Sequence, residues 1–441
     1  MDFQSVMPSE VSYPPIKSLA DCQRTTLTLN SESGTVFTAP GSVVRFTVPS
    51  FPGAFVDFSN ASIIGRVTWT GAFVATRPFA LLGNGLSLFD SIATSIGGSQ
   101  IENTQHPSLI LQTNHELFSS TAELFGQGTQ LLLDTSAVNQ GGVVGRVFNT
   151  GTGPGQLAAS FALPLVGCLG DLHQYMPAVA EVTIELTIAD IIQRKLIDLI
   201  PATSSMPTGF QLTELAFVCD IVRFTDPTYA AQIAAQPISI RTSTTLYNSS
   251  ALAQSTTGMI DINLLSRAMS AKRLMYRFSS SNDAATGIYS SSNPNSRTAQ
   301  VFVGTDTFPN TPIRTSLPAV VKLFQQRATG SVSSHAHPGS PTHSNFCVRN
   351  VGDALHAQTV VPTSSTTRLT TSTWSLVVDL ESLTSGKEDL WTGTSISASS
   401  AAYLRVEIET PLSCPMICHV MTVCDAVLSI DPVSGTARLI Y

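Results

Sequence analysis

An all-β fold of two consecutive β-sandwiches is what this sequence predicts, and three observations carry it. Short segments of β-branched, aromatic and aliphatic residues alternate with polar ones, interrupted by Gly-, Pro-, Asn- and Ser-rich stretches. The 441 residues exceed one average domain, and 43% of them are hydrophobic, enough to build a sizeable core. The strand pattern also restarts after a helical connector near the middle, so each half reads as a unit of about 200 residues.

Residues 1–25 contain Pro and Ser without a period. They read as an N-terminal arm, either ordered on a neighbour or simply disordered. Residues 26–224 form the first unit. Val44, Phe46 and Val48 alternate with Arg45 and Thr47 until Pro49 stops the run, and Ser62 to Thr70 gives a second strand. From Phe79 to Ser120 the order is loop, strand, a tight turn at Gly97-Gly98, a return strand and then a helix. The helix is predicted over Pro107 to Phe125, with Pro107 suited to the first turn and Leu109, Ile110, Leu117, Leu124 and Phe125 near one face. A core of strands does not need a helix. It is therefore expected to pack the flank of the sandwich, with Gln112, Glu116 and Glu123 turned towards a neighbouring subunit.

Residues 126–157 read as a long loop with one short strand, and Ala158 to Leu165 as a buried strand. Glu181 to Ile188 has the clearest alternation. Val182, Ile184, Leu186 and Ile188 share one face, and Glu181, Thr183, Glu185 and Thr187 share the other. One side is core and the other is wet or an interface. Phe210 to Val222 reads as a long strand buried on much of both faces.

Asp226-Pro227 supplies an N-cap followed by proline at the first helical position, so 225–237 reads as a connector helix. Residues 238–441 form the second unit. Its strands are predicted from Pro237 to Tyr247, Met259 to Leu264 and Leu274 to Phe278, then around Trp374–Leu380 and Leu404–Ile408. Residues 279–299 and 327–345 read as long polar loops, and 416–441 as a strand pair turned near Pro432 and Gly435. Together the halves read as two consecutive eight-stranded jelly-roll β-sandwiches with a few short helices and long loops.

Only 12% of residues are charged, about half the share usual for a globular chain. So sparse a charge implies that other subunits cover much of the surface. The net charge is −7 with no run of Lys or Arg, so the counterion release that drives nucleic-acid binding has no basic stripe to work through. Seven cysteines, scattered and odd in number, read as reduced thiols. No basic segment followed by an apolar run opens the chain, and no apolar run reaches the roughly 18 residues of a membrane helix, so neither a signal peptide nor membrane insertion is expected.

Candidate sites are weak. Gly386-Lys387 approaches a phosphate-binding loop, but Glu381 stands where the first glycine belongs and Glu388 follows the lysine. The cluster GTGPG at 151–155 has no helix after it and reads as a turn. His335, His337, His343 and Cys347 could ligate zinc, yet their spacing fits no standard site. Cys414, Cys418, His419 and Cys424 lie on an apolar run and read as buried structural thiols around a histidine. No nucleophile elbow, Cys/His dyad or paired carboxylates occur, and Glu181, Glu185, Glu407 and Glu409 fall on outward strand faces. No catalytic residue, cofactor or metal is expected.

Four segments carry a resemblance: FPGAFVDFSNASIIGRVTWTGA, LLGNGLSLFDSIATSIGGSQIENTQHPSLILQTNHEL, FALPLVGCLGDLHQYMPAVAEVTIELTI and QLTELAFVCDIVRF. In order and pattern they resemble double jelly-roll major capsid proteins of double-stranded DNA viruses, of the polinton, virophage and adenovirus-hexon lineage. The first resembles the family's entry into its second strand, the second its hairpin followed by a helix, and the third its proline-containing loop before a long strand. The resemblance implies a homotrimer of pseudo-hexagonal outline that tiles an icosahedral shell in the virion, assembled inside the host cell. Its partners would be further copies, neighbouring capsomers, and penton and minor capsid or cement proteins. The alternatives are a single-jelly-roll capsid protein with a projecting β-domain, whose halves would differ in fold, and a carbohydrate-binding β-sandwich or glycosidase.

Overall fold

The computed structural model describes residues 22–71, 79–118, 130–132, 144–148, 157–194, 196–198, 207–225, 228, 237–280, 291, 294, 296–317, 320, 323–324, 358–360, 369–371, 375–381, 392–396, 401–412 and 414–441. The first half opens with β1 (Cys22–Asn30), β2 (Val36–Phe37), β3 (Val43–Val48) and β4 (Ala54–Thr70). Then come β5 (Phe79–Leu82), a 3-10 turn (Gly85–Leu88), β6 (Phe89–Ile96), β7 (Ser99–Gln105) and helix α1 (Pro107–Phe118). It closes with β8 (Val144–Phe148), β9 (Ala158–Pro164), β10 (Met176–Pro177), β11 (Val182–Ile188), the one-turn helix α2 (Ile191–Arg194), β12 (Leu196–Asp198) and β13 (Gly209–Phe224). The second half contains β14 (Ile238–Leu252), β15 (Gly258–Asn263), β16 (Ala268–Ser280), β17 (Ser296–Val303), β18 (Asp306–Arg314), β19 (Gln358–Val360) and β20 (Leu369–Thr371). β21 (Leu376–Asp379), β22 (Thr394–Ile396), β23 (Ala402–Ile408), β24 (Met416–Asp431) and β25 (Thr436–Ile440) complete it.

Each half is built from two antiparallel sheets in the same order. The first roll has β1-β13-β4-β10, with β2 and β9 alongside, and β3-β11-β6-β7. The second has β14-β24-β16-β21, with β22 and β25 alongside, and β15-β23-β17-β18. Place for place, β1 matches β14, β3 matches β15, β7 matches β18, β11 matches β23 and β13 matches β24. In both, the first strand pairs with a long strand near the end of the roll, Cys22 opposite Phe224 and Ile238 opposite Ile430. The chain is therefore a double jelly roll. The alternative with a projecting domain of different fold is set aside, because the second half repeats the first.

The strands form where alternation lets one face leave water. In β11 and β23 every second residue is buried, Val182 to Ile188 and Ala402 to Ile408. Val44, Phe46 and Val48 of β3 are buried as the sequence predicts. One core cluster gathers Phe46, Phe58, Ile63, Phe217 and Ile184, and a second gathers Leu274, Tyr276, Phe278, Val301 and Leu404. Beside the first core, β5, β8 and β12 form a small sheet where Trp69, Phe79 and Phe148 pack, the two phenylalanines stacked at 5.3 Å.

Several expectations change. Strand β4 starts at Ala54, well before Ser62, and β1 starts inside the residues read as an arm. The supposed loop from Phe79 is β5 plus the 3-10 turn, all buried. Strand β9 alternates and is not buried throughout. The loop at 279–299 is shorter at both ends, since β16 reaches Ser280 and β17 begins at Ser296. Of the connector, Thr225, Thr228 and Pro237 are described, Thr228 as helical. The loop at 327–345, Trp374 and Cys347 lie outside the described residues.

Candidate assembly surface and the seam between the rolls

The two rolls meet along a seam whose residues come from segments far apart in sequence. Ile240, Leu428 and Ile430, all on strands of the second roll, are buried in the core cluster of the first. Conversely Ile110 of α1 belongs to the cluster of the second roll, and Val166 packs against both. Strand β7 lies against β14 and β25. At one end the β6–β7 turn touches the β24–β25 turn. A Cβ on Gly97 would sit 2.0 Å from the Gly435 carbonyl oxygen, and both residues have positive φ, 56° and 67°. Glycine is required at Gly97 for the turn and for this approach.

The middle of the seam is polar, with Thr242 and Thr244 buried, Glu102 half-buried and Asp171 at the exposed rim. Glu102 of β7 accepts from the Cys168 backbone N–H at 2.5 Å and from the Thr244 hydroxyl. Thr242 donates to the Cys168 carbonyl, and Ser243 donates to Asp171 at 2.6 Å. Burial raises the Glu102 carboxyl above the usual carboxylate range, against the pull of its hydrogen bonds to Thr244 and Cys168. A cleft of about 630 Å³ opens here, walled by Gln100, Glu102, Gln105, Tyr247, Arg267 and Tyr441.

Helix α1 sits inside this seam. Asn84, on the 3-10 turn, donates to the Ser108 carbonyl at 3.1 Å and accepts from the Ser108 hydroxyl at 3.1 Å. On the other side Arg277 of β16 donates to the Thr113 hydroxyl at 3.3 Å. The His106 ring, just before the helix, meets Tyr247 edge-on at 5.0 Å. Tyr247 Oη lies 2.8 Å from His419 Nδ1, and Ser279 Oγ lies 2.8 Å from Nε2. A neutral imidazole donates to one and accepts from the other. Burial above all, then Arg277 and His106, pushes His419 down to about 3.

These contacts correct the reading of the helix. Burial runs around it: Ser108, Leu109, Ile110, Gln112 and Thr113 are all at most 3% exposed. Gln112 therefore does not reach a neighbouring subunit, because both rolls of its own chain enclose the helix. Pro107 does open the helix, as predicted. The Glu116 side chain and the whole of Glu123 lie outside what is described. His335, His337 and His343 do so too. Among the described residues no group of three His, Cys, Asp or Glu could hold a metal, and no helix is long and apolar enough to cross a membrane. Cys418 and Cys424 are free and buried, and burial raises both thiols, Cys424 to about 12.

Outward faces of the two smaller sheets carry cross-strand ion pairs in matching places but of opposite polarity. In the first roll Arg45 on β3 donates to Glu185 on β11 at 2.8 Å. In the second Asp261 on β15 accepts two bonds from Arg405 on β23, 2.7 and 2.8 Å. The first pair is set among Thr47, Thr183 and Thr187; the second lies beside stacked Phe302 and Tyr403, with rings 4.9 Å apart. Sequence reading placed Glu185 outward and missed Phe302 and Tyr403, which only the β17–β23 pairing brings together.

No protein-family model matches the sequence, and no curated protein does. Solved structures do match over both chains. VP54 of PBCV-1, fitted into a reconstruction of the virophage Sputnik, is similar with a TM-score of 0.64 at 12% identity, over 97% of this chain and 99% of the other. A chain of the Sputnik virophage gives 0.60 at 11% identity, over 100% and 93%. The mavirus major capsid protein gives 0.53 at 11% identity, over 100% and 96%. At these identities the fold is what is shared, and it is shared end to end.

Proposed function

We propose that this chain is a structural major capsid protein, a homotrimeric capsomer of pseudo-hexagonal outline that tiles an icosahedral virus shell. The carrying observation is the end-to-end likeness of both rolls to solved chains that include a major capsid protein. The 12% charge content and the exposed end strand β1 agree with it, since both suit a subunit that closes against copies of itself. Its work is mechanical: it encloses a genome through protein–protein contacts, with no catalytic step assigned. Neighbouring capsomers are its partners, with penton and minor capsid or cement proteins at the lattice positions that trimers leave open.

Negative-stain imaging of the purified protein tests this. Trimers with a hexagonal outline are expected; a stable 46.8 kDa monomer that never forms capsomers or shells would overturn the reading. Within it, Glu116 and Glu123 remain proposed as subunit-facing positions. Reversing both charges is expected to weaken assembly more than folding, and equal loss of the two rejects that assignment.

A further inference from the structure

We propose that residues 9–13, the proline-free stretch SEVSY, lie as an added β-strand in the cleft between β7 and β14 of their own chain, so that the N-terminal segment straps the two rolls together. Residues 1–21 lie outside the described residues. The strap goes beyond the capsomer reading and is a property of the isolated chain.

The walls of the cleft are strand edges. Side chains alternate across a strand, so a surface built from one face touches every second residue. Here Thr244 to Asn248 of β14 line the cleft without a gap, and so do Gln100 to Asn103 of β7. Both are end strands, β14 at the end of its sheet beside β24 and β7 at the end of its sheet beside β6. At its start β14 takes a main-chain partner from the first roll, where the His173 N–H donates to the Arg241 carbonyl at 3.2 Å. Among the described residues no further main-chain bond crosses between the two walls. Asn248 Oδ1, in the same wall, is buried without a partner. Strand edges facing one cleft are what an extended peptide recognises, by adding a strand.

Length, side-chain pattern and charge select the segment. Five residues of strand span about 17 Å, so Ser9–Tyr13 matches the wall formed by Thr244–Asn248, and Pro8 and Pro14 stop pairing at either end. Val11 and Tyr13 fall on one side of such a strand and Glu10 on the other. Leu246, Leu265 and Leu439 line the cleft to receive the first two, with Leu265 68% exposed. Arg267 makes no ion pair among the described residues and reaches the Leu264 carbonyl at 3.5 Å, which leaves its guanidinium to Glu10.

The chain's own segment is within reach. Cys22 lies opposite Phe224 and Arg223 opposite Ala54, while Val48 and Ile96 both lie opposite Val182. The start of β1 and the β6–β7 turn therefore share one end of the first roll. Strand β1 lies beside β3, and three strand spacings, about 14 Å, separate β3 from β7. The link Pro14–Asp21 spans up to roughly 28 Å. A tether this short gives an effective concentration on the order of millimolar, which favours the chain's own segment over that of a second copy.

The full-length chain with the photoreactive p-benzoylphenylalanine in place of Tyr13 tests this, since its excited ketone inserts into a neighbouring C–H bond. An equal mixture of light and heavy-isotope-labelled protein is irradiated while dissociated, then digested and read by mass spectrometry. The segment should be joined to peptides holding residues 100–105 or 244–248, both partners carrying the same label. Val11→Asp in the same chain should lower that yield about five-fold or more, with the near-ultraviolet spectrum of the fold unchanged. Cross-links scattered over other surfaces, no cross-link, or a yield indifferent to Val11→Asp overturns the added strand. Cross-links in the cleft between differently labelled chains overturn the strap within one chain.

Discussion

Strands β1 and β14 hold the same place in two copies of one fold and are chemically alike, CQRTTLTLN against ISIRTSTTLYNSSAL, yet seven of nine residues are exposed in the first and only four of fifteen in the second, where Ile240, Thr242, Thr244 and Leu252 are buried. Each is a threonine-rich end strand paired on one side with a long partner, β13 or β24. What separates them is the neighbour. The first roll covers β14 with β7, the Cys168 backbone and Asp171, and nothing described in the chain does the same for β1. The difference teaches that the burial of an end strand in this fold is set by what docks on it.

The comparison breaks most visibly if the rolls do not act together. Phe46→Ala in the first core and Phe278→Ala in the second should each cost about 3–5 kcal/mol. Because β14 and β24 contribute Ile240, Leu428 and Ile430 to the first core, both variants should lower a single unfolding transition in urea. Two separate transitions, each shifted by only one variant, would show the seam to be weak.

Gly97 and Gly98 sharpen it next. Both have positive φ, 56° and 78°, but only Gly97 faces the Gly435 carbonyl across the seam. Gly98→Ala should cost about 1–2 kcal/mol from backbone strain. Gly97→Ala should cost a further 1–3, roughly, from overpacking against the other roll. Equal costs in denaturant unfolding would mean the two turns do not touch.

Glu102 gives a smaller effect with a pH signature. Glu102→Ala leaves the Cys168 N–H and the Thr244 hydroxyl without their acceptor, at about 1–3 kcal/mol each. The folded chain holds a proton on Glu102 that the unfolded chain releases, so its contribution to stability falls as pH rises from the usual carboxylate range through its raised value. His419 acts in the opposite sense. Its value falls from 6.5 to about 3, so the unfolded chain takes up the extra proton and stability is lost as pH drops through that window. Glu102→Gln should remove part of the first slope and His419→Gln the second; stability curves unchanged by either would contradict the buried network. The exposed ion pairs should matter least. Double-mutant cycles at Arg45–Glu185 and Asp261–Arg405 should give the smallest coupling of the series, weakened further by added salt.

Much of this architecture is legible in the sequence wherever one face of a strand is dry. Strands β3, β11 and β23 alternate cleanly because the core demands it, and the turns at Gly97 and Gly435 are marked by glycine. The β17–β18 hairpin is not legible, since DTFPNTPIR carries two prolines and almost no buried residue. The role of α1 is illegible for a different reason. Its partners Asn84 and Arg277 stand 24 and 164 residues from the positions they bind, so no local pattern could show that two rolls enclose it. A helix face inferred from spacing alone assigned Gln112 to the outside and was wrong there.

The most direct test is hydrogen exchange followed at β1 and β14 before and after assembly. In the dissociated chain the β14 amides should exchange slowly and those of β1 quickly, whereas in the assembled protein β1 should slow to resemble β14 while β14 stays unchanged. Assembled particles in which β1 still exchanges as fast as in the free chain would contradict the account.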